Sequence, residues 1–344
     1  MVRLASSALL LIFVGCGTEQ QPVQSAADRS AKSSSGGPDS DLVAATTSDD
    51  VPAVSPAPSI PPPISEPAVR KANPPTTADV RPEDATAKEK LAAALAWSHS
   101  LEHSLLFAPT KFPDGEWQPV GLKFEEARFT AADGTRLHGW FVPHDAPRAV
   151  VLFAHGNGGN ITHRAEMLRA LHDRMHVAVM IFDYRGYGRS DGSPDEAGIL
   201  ADARAARTWL AKRAAVKENE IVLLGESLGG AVAVDLAVDG ARGLVLDSTF
   251  SSLPDVAAWH FPWLPVDALL RTRLDSAAKI GKYLGPLLEF HGDRDQTVPI
   301  QFGRRLFAAA NEPKQFVVMP GVDHNDRRPR EFFRALDGFI GGLK

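Results

Sequence analysis

The chain has 344 residues, with 37 lysines and arginines against 42 aspartates and glutamates and a formal net charge of −5. That balance, with no basic run carrying interleaved aromatics, argues against a nucleic-acid partner. A single cysteine, Cys16, excludes any internal disulfide.

The first residues read as an export signal. Met1-Val2-Arg3 supplies a positive charge, and Leu4–Val14 is a mostly apolar stretch of eleven residues. As a helix it is too short to cross a hydrocarbon core of about 30 Å. It ends in Phe13-Val14-Gly15-Cys16, which resembles a bacterial lipobox, although Phe13 replaces the more usual aliphatic residue. Residues 1–16 are therefore expected to be a lipoprotein-type signal peptide. Cys16 would be acylated and would anchor an exported protein to a membrane of the bacterial cell envelope. The other reading is an ordinary cleaved signal or an uncleaved anchor, with Cys16 incidental.

Residues 17–88 change in character. Twelve of the 26 prolines lie between Pro22 and Pro82, and no Phe, Trp or Tyr occurs between Phe13 and Trp97. A segment of this composition buries too little apolar surface to offset its chain entropy, so it is expected to be a disordered tether. Residues 89–344 then fit one large α/β core. An alanine-rich helix from Lys88 to about Leu106 leads in. It carries His99-Ser-Leu-Glu-His103, which formally matches the H-x-x-E-H zinc pattern. No third ligand motif follows it, so no metal is expected.

Alternating elements follow. Lys123–Thr130 and Arg136–Val142 read as a hairpin about Asp133-Gly134. Arg148–Ala154 is an apolar strand, followed by His155-Gly-Asn-Gly-Gly-Asn160 and a helix to about Asp173. Val177–Phe182 is the next strand, leading into Asp183-Tyr-Arg-Gly-Tyr-Gly-Arg-Ser190 and a helix over Pro194–Arg213. Four apolar residues, Ile221–Leu224, form a short strand, and a small-residue helix runs on to about Leu236. Further strands are read at Gly243–Asp247, Pro286–Phe290 and Gln315–Met319, with helices at Ile300–Ala310 and Pro329–Ile340. Alternating β and α units imply a mostly parallel, doubly wound sheet with helices on both faces. In such sheets the site lies at the carboxyl ends of the strands.

The chemistry concentrates at those ends. Between Leu224 and the small-residue helix lies Gly225-Glu-Ser-Leu-Gly229, a G-x-S-x-G turn. A serine squeezed between strand and helix is pushed clear of the sheet, and only neighbours without side chains let the turn close. The loop His155–Asn160 can turn backbone N–H groups inward, so the Asn157 and Leu228 N–H groups are candidates for a two-donor oxyanion hole. His291-Gly-Asp-Arg-Asp-Gln-Thr-Val-Pro299 follows a buried strand and offers an acid, with Asp295 preferred, Asp293 the alternative and Asp247 a third possibility. Pro320-Gly-Val-Asp-His-Asn-Asp326 presents His324 as a general base. The order Ser227, Asp295, His324 is the Ser…Asp…His order of α/β-hydrolases. The other histidines have structural readings, His155 and His291 as strand ends among them.

From Ser104 to Asp326 the chain resembles the α/β-hydrolase superfamily. More closely, it is similar to the small-capped branch of serine-aminopeptidase-like hydrolases, whose relatives include eukaryotic protein depalmitoylases. The resemblance rests on HGNGGN at His155, DYRGYGRS at Asp183, GESLGG at Gly225, DSTF at Asp247, HGDRDQTVP at His291 and DHND at Asp323. It implies Ser227 as nucleophile, His324 as base, Asp295 as acid, and Asn157 and Leu228 as backbone donors. It implies no metal and no organic cofactor. Asp323 stands where the pattern usually has glycine, and its charge is expected to raise the basicity of His324. In the DYRGYGRS loop, Arg185 and Asp183 are expected to pair and brace the site.

No large lid is inserted. The short cap between Asp247 and Ser276 carries Phe250, Trp259, Phe261, Trp263, Leu264, Leu269 and Leu270, which suit either an apolar acyl pocket or a roof over the core. The expected activity is hydrolysis of a small carboxylic ester or thioester, palmitate esters among the candidates, through an acyl-enzyme. Amide or peptide cleavage by the same triad is the alternative. A non-catalytic binding protein on this fold is the reading from another class.

Overall fold

The computed structural model describes residue 102 and residues 106–344. The expected signal peptide with Cys16, the tether, and His99 and His103 lie outside the described residues. Glu102 of the H-x-x-E-H pattern is buried, and its carboxylate accepts the backbone N–H groups of Arg271 and Thr272 at 3.1 and 2.7 Å.

Eight strands make the main sheet: β1 (Glu125–Thr130), β2 (Arg136–Val142), β3 (Val150–Ala154), β4 (Ala178–Asp183), β5 (Ile221–Glu226), β6 (Gly243–Asp247), β7 (Leu287–Gly292) and β8 (Lys314–Met319). Their order is β8-β7-β6-β5-β3-β4-β2-β1. The six strands from β8 to β4 pair in parallel, whereas β1 and β2 form the expected hairpin and continue the sheet antiparallel. At the hairpin turn Gly134 takes φ 89°, and the Asp133 carboxylate accepts the Thr135 N–H at 3.0 Å. That is how an Asp-Gly turn relieves its backbone.

The helices are α1 (Ala165–Arg169, extended by a π turn over Ala170–Arg174), α2 (Glu196–Ala214), α3 (Leu228–Ala237), α4 (Leu253–His260), α5 (Val266–Leu269), α6 (Ser276–Ile280), α7 (Ile300–Ala309) and α8 (Arg330–Gly342). They cover both faces, which explains why the central strands are apolar throughout rather than alternating. Leu152, Met180 and Leu223 point to the face packed by Ile199, Ala203 and Leu210 of α2, by α3, and by Phe302 and Leu306 of α7. Their sequence neighbours Val151, Val179 and Val222 point to the other face, against Leu168 of α1 and Phe332, Leu336 and Ile340 of α8. Strand periodicity of two thus splits continuous apolar runs between two cores. In α8 the four-residue spacing of those three residues is one helix face.

α3 is buried along its whole length. Its one acid, Asp235, is met by Arg204 of α2 and by Lys279 of α6, the latter at 2.7 Å. The buried Arg207 donates to the carbonyls of Leu236 (2.8 Å), in the last turn of α3, and of Gly240, just beyond it. Two cations and a cap therefore hold α3 against its neighbours.

Candidate active site

β3 and β5 are adjacent and in register, with Ala154 opposite Gly225. The loops that follow them therefore leave the sheet side by side. After β5 the chain turns within one residue: Ser227 has φ 52° and ψ −117°. A side chain rarely accepts that conformation, which carries strain of order 1–3 kcal/mol. The neighbours hold it there. The Ser227 N–H donates to the Asp247 carbonyl at 2.9 Å, and the Ser227 carbonyl accepts from Gly230 N–H (2.9 Å) and the Thr249 hydroxyl (2.7 Å). The glycines flanking the turn are required by close approach. A Cβ on Gly225 would stand 2.3 Å from the Gly229 carbonyl oxygen, and one on Gly229 would stand 2.0 Å from that of Ala154.

Ser227 Oγ lies 3.0 Å from His324 Nε2, and His324 Nδ1 lies 2.7 Å from Asp295 Oδ2. The three side chains come from the turns after β5, β7 and β8, and all are buried. Because Asp295 can only accept when ionised, His324 Nδ1 carries the proton and Nε2 is left free to accept from the serine. The second oxygen of Asp295 accepts the Val298 N–H at 2.7 Å. Asp293 is exposed and turns away, accepting the Gly321 N–H at 2.6 Å. Asp247 meets Arg328 at 2.7 Å instead of the histidine. Of the three candidate acids, the structure brings only Asp295 to His324.

Asp323 sits directly before the histidine with its side chain bound to backbone. Its carboxylate accepts the backbone N–H groups of His324 (2.7 Å) and Gln296 (2.9 Å). A short carboxylate two bonds from its own peptide reaches the local backbone first, and here it joins the His324 loop to the Asp295 loop. The expected Arg185–Asp183 pair is absent. Arg185 donates to Asp202 of α2 and to Asp133 of the hairpin, both at 2.7 Å. Gly198 makes room for it, since a Cβ there would lie 2.4 Å from Arg185 Cδ. Asp183 stays at the end of β4 and accepts the Ile161 N–H at 3.0 Å. The loop braces the site, but through α2 and the hairpin.

Asn157 is buried with both ends of its carboxamide bound. Nδ2 donates to the Leu106 carbonyl at 2.7 Å, and Oδ1 accepts the Tyr187 hydroxyl at 2.9 Å. That pins the backbone at the position whose N–H is wanted, while Leu228 opens α3. His155, directly before this loop, is fully buried. Desolvation, reinforced by Arg164, pushes its imidazole down to about 4, so it is neutral.

Arg164 and Arg328 carry no motif, and Glu226, although it lies within the G-x-S-x-G turn, shows no partner in the sequence. Arg164, Glu226 and Arg328 form a partly buried belt beside Ser227. Arg164 donates to Glu226 at 3.2 Å and to the Gly158 carbonyl at 2.9 Å. Arg328 donates to Asp247 and, at 3.2 Å, to the His324 carbonyl, holding the histidine loop from behind. Burial would raise the Glu226 carboxyl, but Arg164 and Arg328 outweigh it and hold it at about 2. The cap divides. Phe250 and Phe261 are buried in the core, whereas Trp259, Trp263 and Leu269 are 56%, 64% and 54% exposed.

A parallel-centred eight-stranded sheet with a serine on a strained strand-to-helix turn defines an α/β hydrolase. The chain belongs to the alpha/beta hydrolase family, whose model matches residues 151–330. It is similar to the uncharacterized protein Rv2307c of Mycobacterium tuberculosis, 42% identical over 233 residues that cover 67% of this chain and 82% of that one. It is 30% identical to protein bem46 of Schizosaccharomyces pombe over 266 residues, 72% of this chain and 88% of that one. Among solved structures, the Pyrococcus furiosus esterase Pf2001 has the same fold. Its TM-score is 0.56 at 20% identity, over 68% of this chain and 99% of that one. Hydrolase activity in general follows from this membership.

Proposed function

We propose that the protein is a serine hydrolase that cleaves a carboxylic ester or thioester through an acyl-enzyme. The observation that carries this reading is the hydrogen-bonded line Ser227 Oγ, His324 Nε2–Nδ1, Asp295 Oδ2, at 3.0 and 2.7 Å. His324 takes the serine proton as Oγ attacks the acyl carbonyl, and Asp295 stabilises the imidazolium that forms. The negative charge on the carbonyl oxygen falls beside the start of α3, where the Leu228 and Asn157 N–H groups would donate. Collapse expels the alcohol or thiol, which receives the proton from His324. Water then attacks the acyl-serine by the same sequence and releases the acid.

A structural neighbour described as an esterase supports this at the level of fold. The signal-like residues 1–16 support action at a bacterial membrane, with Cys16 as the lipid attachment site. The test is hydrolysis of nitrophenyl esters from acetyl to palmitoyl by the full-length protein beside Ser227→Ala. Turnover lost in the variant is expected, and its chain-length profile sizes the acyl site. Ester turnover that survives Ser227→Ala, or activity confined to aminoacyl anilides, would overturn the reading.

A further inference from the structure

The loop that offers the Asn157 N–H is the least self-supporting part of the site. Three of the six residues in His155-Gly-Asn-Gly-Gly-Asn160 are glycines and bring no side chain to hold it. Glycine also loses the most freedom when a loop is fixed. A donor lowers a barrier only if it is already in place when charge forms on the oxyanion. Bonds from outside the loop must therefore keep it there.

They come from residues 106–114, a strap that precedes β1. Ala108–Pro109 pairs in parallel with Gly158–Gly159, and the Thr110 N–H donates to the Gly159 carbonyl at 2.9 Å. On either side of this short ladder a buried carboxamide ties loop to strap. Asn157 Nδ2 donates to the Leu106 carbonyl at 2.7 Å. Asn160 Nδ2 donates to the carbonyls of Asp114 and Thr110, at 2.9 and 3.2 Å. Asn160 Oδ1 accepts both the N–H and the hydroxyl of Thr162, at 3.0 and 2.6 Å. That carboxamide has its full complement of four bonds, and because carbonyls only accept, the two Nδ2 ends are fixed in identity.

The strap is bound in turn to the loop after β4. The Gly188 N–H donates to the Thr110 carbonyl at 2.9 Å, and the Phe112 N–H donates to the Gly188 carbonyl at 3.0 Å. The Tyr187 hydroxyl closes onto Asn157 Oδ1 at 2.9 Å. Further out, the Arg189 guanidinium lies 4.5 Å from the ring centroid of Phe112 and 4.7 Å from that of Trp117. Trp117 packs edge-on against Trp140 of β2, with ring centroids 5.9 Å apart. The glycine-rich loop thus borrows its rigidity from the antiparallel end of the sheet.

We propose that residues 106–114 are a positioning strap for the oxyanion hole, and that Asn157, Asn160 and Tyr187 are the side chains through which it fixes the Asn157 N–H. Only that backbone N–H meets the substrate; the three side chains act through it. The proposal rests on the reading of the protein as a serine hydrolase with this N–H in its oxyanion hole.

The test uses three substitutions in the full-length protein. Asn157→Ala keeps the backbone donor and removes only the side-chain bonds. Asn160→Ala cuts the bonds to Thr110 and Asp114, and Tyr187→Phe removes one hydroxyl while keeping the ring. With nitrophenyl acetate, kcat should fall about tenfold in each asparagine variant and about threefold in Tyr187→Phe, at unchanged KM. Affinity for a trifluoromethyl ketone, whose serine adduct places an oxyanion in the hole, should fall in the same ratio as kcat/KM. The acid limb of kcat, set by His324, should stay in place, whereas a general loosening of the site would move it and raise KM. Folded variants with unaltered kcat and ketone affinity, or with a change in KM alone, overturn the proposal. If the asparagine variants fail to fold, Tyr187→Phe decides. If the parent turns over no ester and no fluorophosphonate labels Ser227, it is the hydrolase reading that falls. Amide hydrogen exchange over residues 156–160, expected to quicken in Asn160→Ala, would still decide whether the strap holds the loop.

Discussion

Two segments leave the carboxyl ends of neighbouring strands under opposite constraints. The turn from β5 into α3 is gripped by backbone on every side. Ser227 is held at φ 52° by bonds to Asp247, Gly230 and Thr249, and Gly229 has no room for a single added carbon. The cap that follows β6, with α4 and α5, is rooted by Phe250 and Phe261 yet leaves Trp259, Trp263 and Leu269 in solvent. A nucleophile must be presented in one conformation, so its turn is over-determined. The cap, by contrast, keeps large apolar side chains uncovered. The difference teaches that tight packing is concentrated at the serine turn, not spread evenly over the face that carries the candidate site.

The largest expected effect comes from the chemistry itself. Ser227→Ala should lower kcat by about 10⁴–10⁶-fold, and Asp295→Asn by about 10⁴-fold, with unfolding midpoints unchanged. Survival of activity in Asp295→Asn alongside its loss in Asp293→Asn would reverse the assignment of the acid. Next is the grip on the turn. Gly229→Ala forces a carbon to within 2.0 Å of the Ala154 carbonyl oxygen, and backbone cannot step aside. It should cost about 3 kcal/mol or more, read as a fall in Tm on the order of 10 °C. An unchanged Tm would show that the turn is looser than its contacts imply.

The acid dependence of stability sharpens the same comparison, because the charged belt surrounds the turn and does not reach the cap. His155, neutral in the fold at about 4 against an ordinary 6.5, disfavours the folded state as pH falls from 6.5 to 4, where the unfolded chain takes the proton. Desolvation alone would raise the pKa of Glu226, yet the arginines hold it at about 2 against an ordinary 4.5. Its contribution is therefore complete above 4.5 and is lost between 4.5 and 2. Denaturation midpoints measured across that lower window should flatten in Glu226→Gln, and a slope unaffected by the change would remove Glu226 from the account. The smallest effect is predicted on the cap. Trp263→Ser and Trp259→Ser should alter stability by no more than about 0.5 kcal/mol. If the exposed tryptophans contact long acyl chains, the same changes should reduce palmitoyl turnover while leaving acetyl turnover alone. Equal turnover with both esters would make them surface only.

Much of this was legible before any coordinates. The apolar runs at Val150–Ala154, Ile221–Leu224 and Gly243–Asp247 are too short for helices and too apolar for edge strands, and all three lie in the central sheet. Boundaries moved by a residue or two, as where the strand expected from Arg148 begins at Val150. Three of the site's side chains were legible because each sits in a turn whose chemistry shows: glycines around Ser227, an acid-rich loop at Asp295, and a Gly-Val-Asp step before His324. The pairing of Arg164, Glu226 and Arg328 was not, since a charged residue, even Glu226 inside the serine motif, reads as surface until its partner is seen. His291 read as a strand end and proved to lie against the acid. Arg185 was given to Asp183, two residues away, and went to Asp202, which is 17 positions on.

What the sequence by itself determined is therefore the order of strands and helices, the strained serine turn and the histidine that faces it. These follow from periodicity and from backbone conformations that only certain residues accept, both local properties. The tertiary structure decided which carboxylate faces His324, which arginines surround Glu226, and what lies behind Asp295. Those choices join residues 29 positions apart, as in Asp295–His324, or 97, as in Ser227–His324. At such separations the outcome depends on how β7, β8 and α7 pack in three dimensions, and burial then selects the charge states that the packed arrangement can hold.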